Sequence, residues 1–269
     1  MTILSVSNLS KQFGGLSANS NISFAVEEQS IVGIIGPNGA GKTTCFNLIS
    51  GFLPPSEGEV MFNGTNITKL NAYQTASLGM VRTFQHTSVF SELSVLDNIL
   101  TGQHLEVKGL LKYAFFNRKK YTEEENNSKQ RAIEILKLME LEDKREIQAK
   151  SLPYGEQRKL EIAIALAANP KLLLLDEPAA GMNETESAKL VQIIKKLKAK
   201  GLSVLIVEHD MKVVMNLCDY IVVLDHGAKI AEGTPKEISN NSKVIEVYLG
   251  TPDEDEDHHT EEEGSVEYA

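Results

Sequence analysis

Apolar residues recur along the chain at two spacings, one of two residues and one of three to four, and the two spacings alternate in blocks. Near the start, Ile22, Phe24 and Val26 alternate with polar neighbours. That is the period of a half-buried strand, and the first thirty residues read as an antiparallel edge. Val60-Met61-Phe62 followed by Asn63-Gly64 predicts a strand running into a tight turn of the same small sheet. Short apolar runs at Ser30–Ile35, Lys171–Leu175, Ser203–Val207 and Tyr220–Leu224 predict buried strands. Between two of them Leu190, Ile194 and Leu197 share one helical face. A mainly helical stretch from about 86 to 165 places Ala132, Leu136 and Met139 at i, i+4 and i+7. Alternation of strand and helix predicts an α/β fold with a parallel core sheet covered on both sides. From Gly102 to Asn127, Leu105, Leu110, Leu111, Tyr113, Phe115 and Phe116 stand among Lys and Arg. This stripe reads as ordinary packing, or as an amphipathic helix against a membrane surface or a partner.

Between the apolar run ending at Ile35 and a helical stretch, Thr43 to Ile49, lies Gly36-Pro37-Asn38-Gly39-Ala40-Gly41-Lys42-Thr43. This is a complete G-x-x-x-x-G-K-[ST] phosphate loop in the strand–loop–helix order that such a loop needs. Glycines let the backbone wrap the phosphates of a nucleotide, N–H groups point inward, and the helix N-terminus adds its dipole. Lys42 is expected at the β- and γ-phosphates and the Thr43 hydroxyl on Mg2+, with Thr44 counted in the nucleotide-binding set. Downstream, Leu172-Leu173-Leu174-Leu175-Asp176-Glu177 offers the metal and water chemistry that the loop requires.

The 269 residues suffice for one large α/β domain or two modest ones. No apolar stretch approaches the roughly 18 to 20 residues that span a bilayer. Met1-Thr2-Ile3-Leu4-Ser5 lacks a basic region followed by an apolar core, so no secretory signal is expected. Cys45 and Cys218 lack metal-ligand spacing and read as reduced, buried thiols of a cytosolic protein. Of the net charge of −10, −9 sits between Asp253 and Glu267, where nine acidic residues stand without Lys or Arg, leaving −1 for the rest. The body lacks the basic excess of a nucleic-acid binder. Residues 251–269 read as an acidic, disordered, solvating tail, with His258 and His259 solvated in preference to holding a metal.

A phosphate loop alone does not separate kinases, GTPases, helicases and transporter ATPases. Leu152-Pro153-Tyr154-Gly155-Glu156-Gln157-Arg158-Lys159-Leu160-Glu161-Ile162-Ala163, just upstream of the strand ending in Asp176-Glu177, does so. It resembles the L-S-G-G-Q signature of ATP-binding-cassette ATPases, and the resemblance runs from about residue 3 to residue 250. It implies the nucleotide-binding domain of that family over 1–250: a parallel core sheet, an antiparallel β subdomain and a helical signature subdomain at about 86–165.

The resemblance also implies roles. Phe13 stands where the family stacks an aromatic on adenine, the alternative being a core phenylalanine. Gln85, in Val81-Arg82-Thr83-Phe84-Gln85, looks like the glutamine that touches Mg2+ and the attacking water. Asp176 is expected to bind Mg2+ through its hydration shell, and Glu177 to act as the base that polarises water. His209, 33 residues after Asp176, looks like the switch histidine that bonds the γ-phosphate. Ala179-Ala180-Gly181-Met182-Asn183 looks like the loop that contacts the opposite protomer. Pro153 replaces the usual signature Ser and Tyr154 a Gly, so the contact across the dimer passes to neighbours such as the Gly155 N–H.

Longer strings narrow the branch: Gly79 to Gln85, Asp176 to Asn183, Glu208 to Met215, and Val244 to Gly250. Together they are similar to the larger ATPase subunit of branched-chain amino-acid importers, with ATPases of urea or amide importers and lipopolysaccharide exporters as the alternative. A soluble regulatory cassette is a more distant alternative. The branch implies ATP and Mg2+, a homodimer or a heterodimer with a paralogous ATPase, transmembrane permease subunits and, indirectly, a solute-binding protein. It also implies a peripheral place on the cytoplasmic face of the cell membrane and no nucleic acid.

Overall fold

The computed structural model describes residues 1–83, 89–103 and 118–249. Gln85, most of the stripe after Gly102 and the acidic tail lie outside these described residues. Two sheets form the frame, and the smaller is antiparallel in the order β2-β1-β4-β5. In it β1 (Thr2–Phe13) pairs with β2 (Leu16–Glu27), setting Leu9 opposite Ile22, Val6 opposite Phe24 and Leu4 opposite Val26. The predicted alternation is observed, since Ile22, Phe24 and Val26 are all buried. β4 (Glu57–Phe62) turns into β5 (Thr65–Asn66) through Asn63 and Gly64, whose φ angles are 47° and 75°. Two successive positive φ values make the tight turn that matches the strand twist.

The larger sheet runs β10-β9-β3-β8-β7-β6. β3 (Ile31–Ile35) lies between β8 (Ser203–Val207) and β9 (Tyr220–Asp225), parallel to both. β7 (Leu172–Asp176) and β6 (Met80–Arg82) continue the parallel set, and β10 (Ala228–Gly233) closes the far edge antiparallel to β9. The three-residue β6 is too short to register as a period and was not predicted.

Helices α1 (Lys42–Ile49), α6 (Glu184–Ala199) and α7 (Met211–Leu217) follow β3, β7 and β8 respectively. α2 (Ala72–Ser77) precedes β6, while α8 (Pro235–Ser239) and α9 (Ser242–Leu249) end the described chain. α3 (Val95–Gly102), α4 (Arg118–Leu138) and α5 (Tyr154–Ala167) stand between β6 and β7 and pack on one another. Alternate residues of the parallel strands enter opposite cores. Leu173, Leu175, Val204 and Ile206 face the core shared with α3 to α7, where Ala132, Leu136 and Met139 are fully buried. Leu172, Leu174, Leu205 and Val207 face α1 and the antiparallel sheet. Both faces are thus covered, which is why these strands read as unbroken apolar runs. Each Leu or Ile so buried contributes about 1.5–3 kcal/mol over leaving it exposed.

Candidate active site

The parallel strands β3, β8 and β7 are neighbours, and all three release their chains at one edge, where ligands of such sheets bind. Gly36 follows β3 with φ 151°, and a Cβ there would lie 2.1 Å from the carbonyl oxygen of Leu224 on β9, so only glycine fits. Gly41 closes the loop at φ 90°, against the Ala18 carbonyl and Asn19, whose Nδ2 donates to the Gly41 oxygen at 3.2 Å. α1 then starts with neither a capping side chain nor an acidic residue in its first turn. Its first N–H groups therefore lack intrahelical partners and concentrate positive potential, the property that holds an anion. Lys42 is 8% exposed, and its Nζ donates to the carbonyls of Gly36 (2.7 Å) and Pro37 (2.8 Å). Burial pulls its pKa down from the usual lysine value, opposed by the Glu177 carboxylate. Thr43 is exposed and Thr44 half-buried on the same first turn. Pro37, Asn38, Gly39 and Ala40 border an open hollow of about 550 Å³ that also touches Asp225 and Glu246.

Across the sheet edge, Asp176 ends β7 almost fully buried, paired in register with Val207. Glu177 takes φ 45°, a left-handed conformation that few residues other than glycine adopt, while its N–H donates to the Val207 carbonyl at 2.9 Å. Such conformations cost on the order of 1–3 kcal/mol and collect at functional sites. Here the sharp bend takes the Glu177 side chain to His209, whose Nδ1 lies 3.6 Å from Glu177 Oε2. The imidazole is 57% exposed and free to meet a ligand. Behind them Glu208 is buried; its Oε1 accepts from the Ala179 N–H at 2.9 Å and its Oε2 from the His209 N–H at 3.2 Å. Burial pushes this carboxyl above its usual pKa, and the backbone donors partly offset the shift. Sequence reasoning gave Glu208 no role. The available signal was a charged residue placed directly after five fully buried strand positions.

The other expected residues are distributed as follows. Phe13 ends β1 with its ring 47% exposed and the Lys11 ammonium 5.3 Å from its centroid, so it is not a core residue. Its hairpin is the one that supplies Ala18 and Asn19 to Gly41. Gly155 is buried in the first turn of α5, where a Cβ would meet the Glu186 carboxyl group of α6 at 3.0 Å. Pro153 sits at the N-cap of α5 without a capping side chain. Tyr154 Oη donates to the Ala180 carbonyl at 3.1 Å and accepts from Arg158 Nε at 2.9 Å, joining the start of α5 to the loop after Glu177.

The oxygen donors at hand suit a hard divalent cation. Among the described residues no three His, Cys, Asp or Glu side chains gather into a cage. Thr43 and Asp176 instead offer the sparse set by which Mg2+ is held together with the phosphates of a substrate.

A family model described as ABC transporter matches residues 19–180, and one described as branched-chain amino acid ATP-binding cassette transporter matches residues 228–254. The high-affinity branched-chain amino acid transport ATP-binding protein LivG of Salmonella typhimurium is 42% identical over 254 residues, covering 92% of this chain and 98% of the relative. A crystal structure of the ADP conformation of an ATP-binding cassette of an ABC transporter has TM-score 0.82 and 35% identity, covering 93% of this chain and 100% of that one. A dimeric post-hydrolysis cassette bound to ADP and Pi has TM-score 0.71 and 27% identity, covering 86% of this chain and 98% of that one.

Proposed function

The chain belongs to the ATP-binding-cassette family of transporter ATPases, and we propose that it is the ATP-hydrolysing, energy-coupling subunit of an importer of branched-chain amino acids. One observation carries the chemistry: the phosphate loop, Asp176, Glu177 and His209 converge at the carboxyl ends of β3, β7 and β8. The loop N–H groups, the α1 terminus and Lys42 bind and orient the triphosphate, while Phe13 offers its ring to the adenine. Glu177 takes the proton of the attacking water. His209 holds Glu177 and donates to the γ-phosphate. Thr43 and Asp176, with Gln85, would hold Mg2+. When bound, Mg2+ neutralises charge developing on the phosphates.

The substrate class rests on the name of the 42%-identical relative and on the C-terminal family match. The dimeric cassette among similar structures supports assembly in pairs, with a second copy or a paralogous ATPase. In such a pair the ATP on one phosphate loop meets the α5 start of the other chain, where Gly155 N–H takes the place of the missing signature serine. Among the described residues no helix is long and apolar enough to cross a membrane. In the proposed importer, attachment to the inner face of the membrane falls to transmembrane permease subunits, which a solute-binding protein supplies with amino acid. A groove of about 230 Å³ lined by Phe52, Tyr73, Met80, Thr83 and Ile164 offers those subunits a seat.

The test is Mg2+-dependent phosphate release by the purified chain, alone and with co-expressed paralogue and permease, followed by uptake of labelled leucine into proteoliposomes. Activity that rises with partners and drives leucine uptake is expected. Robust partner-independent hydrolysis without uptake would point to a soluble cassette instead.

A further inference from the structure

Arg82, at the end of β6, is left unused by the chemistry above, yet it is held more tightly than any surface cation needs. Its side chain is 10% exposed, and Nη2 donates to Asp176 Oδ2 at 2.7 Å. Nη1 donates to Asn47 Oδ1 at 2.6 Å and to Ser50 Oγ at 3.0 Å. The rings of Phe46 and Phe52 lie with centroids 4.9 and 5.3 Å from the guanidinium carbon. Phe46 and Asn47 belong to α1, and Ser50 is its C-cap. One planar cation therefore ties the helix that leaves the phosphate loop to the carboxylate that ends β7. The strand register builds this link: Arg82 pairs with Leu174, and Leu174 and Asp176 share the face of β7 turned to α1.

We propose that Arg82 is the positioning residue that orients Asp176 for the divalent cation, so that cation-dependent nucleotide affinity depends on a side chain outside the cation's own ligand set. This rests on the reading of Asp176 as the carboxylate of that cation. A carboxylate rotates easily about its last torsion. With Oδ2 held by Arg82 its plane is fixed, and Oδ1 remains for the hydration shell of the cation. The guanidinium is itself a positive charge beside the site, so by charge alone it would weaken the cation. The anchoring decides between the two effects. A group that only neutralised Asp176 would need its charge and nothing else, whereas this one is fixed from behind by two side-chain acceptors and two rings. Partner groups that orient the ligands of a metal typically change its affinity about 10- to 100-fold when removed.

The experiment measures binding of a slowly hydrolysed ATP analogue to the full chain, in Mg2+ and in EDTA. Wild type is compared with Arg82→Met, Arg82→Lys and Asn47→Ala, with thermal melting of each. The ratio of the EDTA to the Mg2+ dissociation constant is expected to fall about tenfold in Arg82→Met with affinity in EDTA preserved. Arg82→Lys should recover part of it, since an ammonium keeps the charge but not the planar fork. Asn47→Ala, which leaves the charge pair intact, should lower the ratio by a smaller factor, and it serves if Arg82→Met does not fold. An unchanged ratio in folded variants would reduce Arg82 to a structural tie, and a raised ratio would make it a competitor of the cation; either result overturns the proposal. A wild-type protein with no Mg2+ dependence would instead sink the reading of Asp176 itself.

Discussion

Glu177 Oε2 and His209 Nδ1 lie 3.6 Å apart, although the two residues leave different strands. β7 and β8 run in register from Leu172 and Ser203 to Asp176 and Val207, which delivers both chains to the same edge. The left-handed turn at Glu177 and the Glu208 carboxylate, which holds the N–H groups of Ala179 and His209, then complete the approach. The separation exceeds a hydrogen bond, and under the proposed function substrate is expected to draw the two groups together.

Glu177→Gln keeps the size of the side chain and removes its capacity to accept a proton. Turnover is expected to fall at least about a hundredfold, as for loss of a positioned base, while ATP binding persists. Phosphate release and nucleotide titration on the same preparation decide it. Near-normal hydrolysis would remove Glu177 from the chemistry.

Lys42→Ala deletes the one ammonium inside the phosphate loop, together with its bonds to the Gly36 and Pro37 carbonyls. Affinity for ATP and turnover should drop together. An affinity equal to wild type by equilibrium titration would argue that the ammonium never reaches the phosphates.

Glu208→Ala leaves two backbone donors without their acceptor, and a loss of about 1–3 kcal/mol in urea unfolding is expected. Burial raises the pKa of this carboxyl in the folded protein. The native state therefore retains a proton between the usual carboxylate value and the raised one. The contribution is complete at low pH and is lost as pH rises through that window. The wild-type stability curve should carry this downward slope and the variant should lack it; equal slopes would contradict the assignment.

Burial pushes the thiols of Cys45 and Cys218 up to about 12. Thiolate is the reacting form, so at pH 8 its population is about a thousandfold below that of a thiol of pKa 9. A disulfide reagent should leave both unmodified in the folded protein and titrate two per chain in urea. Rapid modification without denaturant would show that the core around α1 or α7 opens.

Features carried by contiguous residues were legible in the sequence. The phosphate loop is eight successive residues, and its glycines stand where the backbone later needs them. The runs at Ile31–Ile35, Leu172–Asp176 and Ser203–Val207 were visible because both of their faces are buried. Asp176, Glu177 and His209 were singled out through a family pattern of spacing, which names residues without showing their contacts. The signature departure at Tyr154 was legible only as a missing glycine, and its bonds to Ala180 and Arg158 were not.

By itself the sequence determined the main apolar strands, the glycine-bearing turn after Ile35 and the set of charged groups, since each follows from the preferences of neighbouring residues. Tertiary structure alone decided how those groups are paired. Arg82 meets Asp176 across 94 positions, and Glu208 meets Ala179 across 29, because strand pairing sets β6 beside β7 and β7 beside β8 in one register. Register is fixed by the burial of whole faces at once, and a one-residue slip would turn every such side chain to the opposite core. No local period in the chain encodes that choice, so the partners of Asp176 and the bend at Glu177 exist only in the folded molecule.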